Sequence, residues 1–144
     1  MKVIKNVNDV YEKACPPWIS KLKYNQIFVF GSNEAGIHGA GAALMAAEWG
    51  ARDGQGFGPS GRTFAIPTKD WRINTLTRIS VSAYVNRFVE FAMVKSLDEF
   101  LVTEIGCGLA GFTPEEMAPL FINAFDLDNV RLPVSFIEIL MKEK

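Results

Sequence analysis

Twice in this chain a short, apolar, β-prone run passes straight into a glycine-rich loop and then into the start of a helix. The second instance, residues 100–116, reads Phe-Leu-Val-Thr-Glu-Ile-Gly-Cys-Gly-Leu-Ala-Gly-Phe-Thr-Pro-Glu-Glu. Residues 100–105 have the apolar content of a buried strand, and Gly106, Gly108 and Gly111 let the loop backbone approach a ligand closely. Thr113, Pro114 and Glu116 carry the N-cap, first and third helical positions of a capping box. The first instance begins with Gln-Ile-Phe-Val-Phe at 26–30, runs on through Gly31, Ser32, Asn33, Gly36, Gly39 and Gly41, and enters a helix over 42–49 that Gly50 ends. Such a chain is committed to strands whose carboxyl ends deliver loops to helix N-termini, the construction of an open α/β sheet.

Backbone N–H groups converging beside a helix start favour an anion. One such loop is an ordinary β–α turn with glycines for tightness. Two of them, both opening at the carboxyl edge of one sheet, can face a single crevice, and a diphosphate is the simplest ligand that needs two cradles.

The rest of the sequence supplies the other layers. A strand is expected at 2–5 and a helix over 9–14, stopped by the Cys-Pro-Pro run at 15–17. Residues 52–61, with Gly54, Gly56, Gly58, Pro59 and Gly61, read as a loop, and 62–66 as a strand that the Pro67 segment leaves. Val81, Tyr84, Val85, Phe88, Phe91 and Ala92 have helical spacing and predict the longest helix over 78–95. After Thr113, a helix places Met117, Leu120, Phe121, Ala124 and Phe125 on one face, with Pro119 removing a hydrogen bond from it. Residues 129–132 and 134–140 read as a last, irregular edge strand interrupted by Pro133. The alternation predicts one α/β domain over 1–144 with a largely parallel sheet.

The 144 residues match the usual size of one domain, and 49% hydrophobic against 22% charged residues are ordinary globular proportions. The net charge of −1 gives no general pull towards nucleic acid or an anionic membrane, so any anion must be held locally. Arg62, Lys69, Arg72 and Arg78 concentrate positive charge in one segment, which also fits a solvated face. Two cysteines and one histidine do not supply the usual four ligands of a structural zinc site, and no bound metal or cofactor is expected. No apolar run approaches the ~20 residues of a membrane span and the first residues lack a signal-peptide core, so a soluble, cytoplasmic protein is expected.

The string Gly-Leu-Ala-Gly-Phe-Thr-Pro at 108–114 resembles the phosphate-binding loop of macrodomains, which recognise ADP-ribose. Asn33 followed by Gly-Ala-Gly-Ala-Ala at 39–43 resembles the other signature of that family, and the two fall in the family's order. Ile-Pro-Thr-Lys-Asp at 66–70, taken with Ile-Gly-Cys-Gly-Leu at 105–109, is most similar to the branch that includes the terminal ADP-ribose glycohydrolases and the antitoxins that remove ADP-ribose from DNA. In that branch a lysine just after this strand takes part in cleavage, and Lys69 matches it. The human enzyme of the branch also uses an aspartate after its Gly-Leu step, where this chain has Ala110, so a mechanism relying on that acid does not carry over.

The resemblance implies a three-layer α/β/α fold with a mixed, largely parallel central sheet, and ADP-ribose or an ADP-ribosylated substrate as the partner. It implies a diphosphate held by backbone donors of Gly39, Ala40, Gly41 and Ala42 and of Gly108, Leu109, Ala110, Gly111 and Phe112, with Gly106 also in the ligand site. Gly31, Ser32, Asn33 and Thr68 join the ligand site, with Asn33 facing the distal ribose, Phe112 lying against it, and Lys69 catalytic. The implied activity is hydrolysis of an ADP-ribosyl linkage on protein or nucleic acid; the alternative is a non-catalytic module that binds ADP-ribose or an NAD metabolite.

The residues themselves leave several roles open. Lys69 reads as a nucleophile on the ribose anomeric carbon, as a fixed charge beside phosphate, or as a solvated turn residue. Asp70 and Glu34 are the nearest acids for proton transfer. His38 reads as a phosphate contact or as a surface loop residue, Asn33 as a ribose contact or a turn former, and Cys107 as a thiol acidified by a helix start or a small residue in a tight turn. Trp49, Trp71 and Phe57 are candidates to stack on adenine or to fill core and rim. A dinucleotide-binding oxidoreductase is the weaker alternative, because Leu44 takes the third glycine position of that fingerprint.

Overall fold

The computed structural model describes residues 7–142, so the strand expected at 2–5 lies outside the described residues. Helix α1 (Val7–Lys13) is followed by β1 (Gln26–Asn33), α2 (Gly41–Ala47), β2 (Gly58–Ser60), β3 (Thr63–Lys69), α3 (Arg78–Val94) and β4 (Glu99–Val102). Then come α4 (Pro114–Met117), a 3₁₀ turn (Ala118–Phe121), α5 (Ile122–Phe125), β5 (Val130–Arg131) and α6 (Val134–Lys142). The strands form one mixed, largely parallel sheet in the order β2-β3-β1-β4-β5. β1 runs parallel to β3 and β4, β4 runs parallel to β5, and only β2 is antiparallel, paired with β3.

This order puts a topological switch at the centre of the sheet. From β1 the chain passes through α2 to β3 on one side; from β4 it passes through α4 and α5 to β5 on the other. The connections leaving the neighbours β1 and β4 therefore diverge, and a crevice opens between them at their carboxyl ends. Both glycine-rich loops leave the sheet there.

Alternation along the strands fills both faces. Val29 of β1, Phe64 and Ile66 of β3, and Phe100 and Val102 of β4 join the larger core with Val81, Val85 and Phe88 of α3 and with residues of the 114–142 region. Phe28 and Phe30 of β1 and Ala65 of β3 point the other way, onto Ala43 and Ala46 of α2. Helix α3 starts where Thr77 accepts a hydrogen bond from Ser80 N at 3.2 Å, an N-cap, and buries Val81, Val85, Phe88, Val89 and Ala92.

Four elements depart from the reading of the sequence, one of them β4, which ends at Val102 and not at Ile105. The segment 134–142 is helix α6, not strand: Phe136, Ile137 and Leu140 share one helical face and are fully buried, and Pro133 ends β5 just before the helix, where its missing N–H leaves no ladder bond broken. β3 does not stop at Ile66 but continues through Pro67 to Lys69, because the ladder with β2 ends at Ala65 and a proline beyond it is tolerated. The 52–61 loop contains the short edge strand β2, itself carrying Pro59. Pro119 has the expected effect: the helix after Thr113 is broken into α4, the 3₁₀ turn and α5.

Candidate functional site

A cavity of about 730 Å³ occupies the carboxyl ends of β1, β3 and β4. β1 contributes Gly31, Ser32 and Asn33, and the following loop contributes Ile37, Gly39, Ala40, Gly41 and Ala42. The end of β3 brings Thr68 and Lys69, and the turn after it Ile73. From the loop after β4 come Gly106, Cys107, Gly108, Leu109 and Ala110. Gly111 and Phe112 are not among the lining residues: Gly111 turns the chain at φ 84°, and Phe112 packs against the larger core beside Gly106.

The first loop is rigid by construction. The Asn33 amide donates from Nδ2 to the Ile37 carbonyl at 2.9 Å and accepts from Ile37 N–H at 3.0 Å, so this side chain shapes the loop rather than projecting freely into the cavity. His38 is buried, with Nε2 2.7 Å from Ser32 Oγ and its ring edge-on to Phe30. Burial lowers its pKa against a weaker opposing pull from Asp53, and its Nδ1 is the buried side-chain atom that has no partner among the described residues. Behind the loop, Gly56 passes so close that a Cβ there would lie 1.9 Å from Asn33 O. The sequence marked this histidine as a loop residue; its burial comes from the tertiary contact with β1.

The second loop is tied down differently. Its own turns use the N–H groups of Cys107, Gly111 and Phe112, bonded to the carbonyls of Glu104, Gly108 and Gly106. Thr75 Oγ1, in the turn after β3, donates to the Ala110 carbonyl at 2.9 Å. Thr113 and Glu116 cap α4 reciprocally, Glu116 N–H donating to Thr113 Oγ1 and Thr113 N–H to Glu116 Oε1. That helix start is thus satisfied by its own residues, whereas α2 begins at Ala40 with no side-chain cap. Among the described residues no hydrogen bond takes up the N–H groups of Gly39 and Ala40 in the first loop or of Gly108, Leu109 and Ala110 in the second.

Gly39 and Gly108 stand out among the chain's glycines. Neither adopts a left-handed φ, and a Cβ built on either meets no atom within 4 Å. The protein's own packing requires a glycine at neither place, yet each lines the cavity from one of the two facing loops. A methyl group at either place would stand in open space.

Lys69 reaches the cavity because of an irregularity. The β1–β3 register shifts between Ser32 and Asn33, so that Ser32 faces Pro67 and Asn33 faces Lys69, with Thr68 as the extra residue. Thr68 is buried and its hydroxyl donates to Ser32 O at 3.3 Å, which leaves it a strap between the strands. No hydrogen bond or ion pair among the described residues engages Lys69 Nζ. Of the two acids singled out from sequence, neither lines the cavity. Asp70 Oδ1 accepts from Arg72 N and Asn74 N and so closes a turn, and Glu34 accepts from Tyr84 OH at 2.5 Å, raising the tyrosine's pKa.

The acid that does line the cavity is Glu104, which also accepts from Ser135 Oγ at 2.9 Å. It escaped the sequence reading because β4 was taken to run to Ile105, whereas the strand ends at Val102 and frees Glu104 for the loop. Cys107 lines the cavity too, but burial, then Glu104, Glu115 and Glu116, push its thiol up to about 11, the opposite of what a helix start alone would do. It remains a protonated, small residue at neutral pH.

A second cavity of about 650 Å³ adjoins the first, sharing Ala42, Thr103 and Glu104 with it. Its wall is mostly apolar, with Pro16, Ile19, Phe28, Met45 and Val134, and includes Trp18, whose side chain is 89% exposed. Trp49, Trp71 and Phe57 line neither cavity: Trp49 packs edge-on against Phe28 and Phe57 lies under the Arg87 guanidinium at 4.4 Å. Trp18 gave no sequence signal because it sits in an irregular segment that only the folded chain brings beside β1. Among the described residues no group of three or more His, Cys, Asp or Glu side chains is placed to hold a metal ion, and no helix is long and apolar enough to cross a membrane. Comparison of the chain with protein-family models, with curated proteins and with solved structures finds no match in any of the three.

Proposed function

We propose that this chain is a macrodomain-like, three-layer α/β/α protein that binds ADP-ribose and hydrolyses an ADP-ribosyl linkage on protein or nucleic acid. The observation that carries the reading is the pair Gly39 and Gly108, glycines demanded by neither φ nor packing, one on each loop of a crevice at the sheet's switch point. A diphosphate between the loops accepts from the unengaged N–H groups of Gly39 and Ala40 on one side and of Gly108, Leu109 and Ala110 on the other. The apolar second cavity then takes the nucleobase beside Trp18, an open indole suited to stacking on a planar ring. The distal ribose lies at the other end, against Thr68 and Lys69.

At that end Lys69 lines the cavity, its Nζ without a partner among the described residues. It serves either as a nucleophile on the anomeric carbon, which requires the free amine, or as a fixed charge that steadies the sugar and phosphate. Either role predicts that Lys69→Ala abolishes release of the linked group while leaving the diphosphate cradle intact. The test is a calorimetric titration with ADP-ribose, ADP, AMP and NAD, followed by turnover assays on ADP-ribosylated protein and DNA. Turnover by Lys69→Ala equal to that of the wild type refutes the catalytic role, and no binding of ADP-ribose refutes the function itself.

A second reading, a non-catalytic ADP-ribose or NAD-metabolite binding module, is favoured by one specific observation. Ala110 supplies no acid, the carboxylates of Glu34 and Asp70 are committed elsewhere, and Glu104, the carboxylate that lines the cavity, accepts from Ser135 Oγ. Tight binding without turnover on any linkage would establish it.

A further inference from the structure

Ile73 is the single non-glycine residue with positive φ among the described residues, at 65°. In that region a β-branched side chain crowds its own backbone, and glycine or asparagine is the ordinary occupant. The turn around it is closed firmly: Ile73 N–H donates to Asp70 O at 3.0 Å, Asp70 N–H to Asn74 O at 2.8 Å, and the Asp70 carboxylate takes the N–H groups of Arg72 and Asn74. Lys69 and Thr75 pair across its base. The turn thus holds an isoleucine in a conformation that isoleucine resists.

Core packing does not explain the choice. Ile73 belongs to neither hydrophobic cluster, is 41% exposed as a residue, and lines the cavity four residues after Lys69. Backbone strain that the surroundings enforce, at the rim of a cavity, points to use of the side chain there. We infer that Ile73 is a specificity-determining residue that packs against the C–H face of the sugar beyond the second phosphate, selecting ADP-ribose over ADP. This rests on the proposed diphosphate-binding function and on the orientation that places the nucleobase in the apolar second cavity. An aliphatic wall suits a ribose ring and offers no hydrogen bond to a terminal phosphate, which would lose part of its hydration beside it.

In variants that relieve the strain, binding weakens without any loss of stability, which a merely structural residue would not do. Ile73→Asn and Ile73→Gly relieve the strain; the expected melting temperature of the unliganded Asn variant is about 2 °C above the wild type, and that of the Gly variant, which frees the unfolded chain, is unchanged. Both bind ADP-ribose about fivefold to tenfold more weakly by titration calorimetry, with ADP affinity equal to or above that of the wild type, and Ile73→Val retains most of the preference. Wild-type affinity for ADP-ribose in the Asn and Gly variants overturns the inference alone, as does an equal loss for ADP and ADP-ribose. A wild-type chain that binds neither nucleotide overturns it together with the function on which it rests.

Discussion

Replacing Gly108 by alanine separates a glycine needed by the fold from one needed by a ligand. In the unliganded protein the new Cβ meets nothing within 4 Å and the backbone φ is one that alanine adopts freely. The native state therefore gains no strain, while the unfolded chain loses freedom, so Gly108→Ala should be neutral to stabilising by about 0.4–1 kcal/mol. For a chain of this length that is a rise in melting temperature of about 1–3 °C. The ligand side carries the opposite sign. On the proposed diphosphate-binding function, a methyl group on Gly108 crowds a phosphate oxygen that approaches the N–H groups of Gly108 and Leu109, and each such charge-assisted bond contributes about 1.5–3 kcal/mol. Loss of one bond lowers ADP-ribose affinity by about 10- to 100-fold. Thermal melts without ligand and calorimetry with ADP-ribose measure the two arms on the same preparation. Undiminished affinity in Gly108→Ala, or a destabilisation beyond about 1 kcal/mol in the unliganded protein, refutes the argument that this glycine is kept open for a bound anion.

Gly56 should behave in the opposite way. A Cβ 1.9 Å from Asn33 O forces the 53–57 segment off the first loop, so Gly56→Ala destabilises by about 3 kcal/mol in urea unfolding, and wild-type stability would show that the contact is not tight. His38 predicts a pH dependence. Its folded pKa lies below the ordinary 6.5, so between the two values the unfolded chain binds more protons, and stability falls as pH drops through that window. His38→Gln keeps a partner for Ser32 but cannot titrate; its melting temperature should decline less than that of the wild type between pH 7.5 and 5.5, and parallel profiles would contradict the assignment.

The layered α/β character was legible because it depends on neighbours in sequence. Continuous apolar runs at 26–30 and 100–105 mark β1 and β4, the helical spacing of Val81, Val85, Phe88 and Ala92 makes α3, and Thr113 with Glu116 caps α4 within a single turn of chain. The segment 134–140 was not legible in the same way. Ile137, Ile139 and Leu140 suit either a strand or a helix, and the choice fell to helix because α6 covers the larger core with Phe136, Ile137 and Leu140.

By itself, then, the sequence determined the two strand–loop–helix units, the parallel sheet they imply, and glycine wherever a backbone must stay bare, since these follow from local sterics and periodicity. Only the tertiary structure decided which side chains meet in the crevice. It extended β3 to bring Lys69 to the sheet's edge, buried His38 under Ser32, spent Asp70 and Glu34 on a turn and a tyrosine, and put Glu104, Ile73 and Trp18 at the cavities instead. Those outcomes depend on bringing together residues as much as 117 positions apart, such as Trp18 and Ser135 in the lining of one cavity, and no local pattern encodes such a juxtaposition.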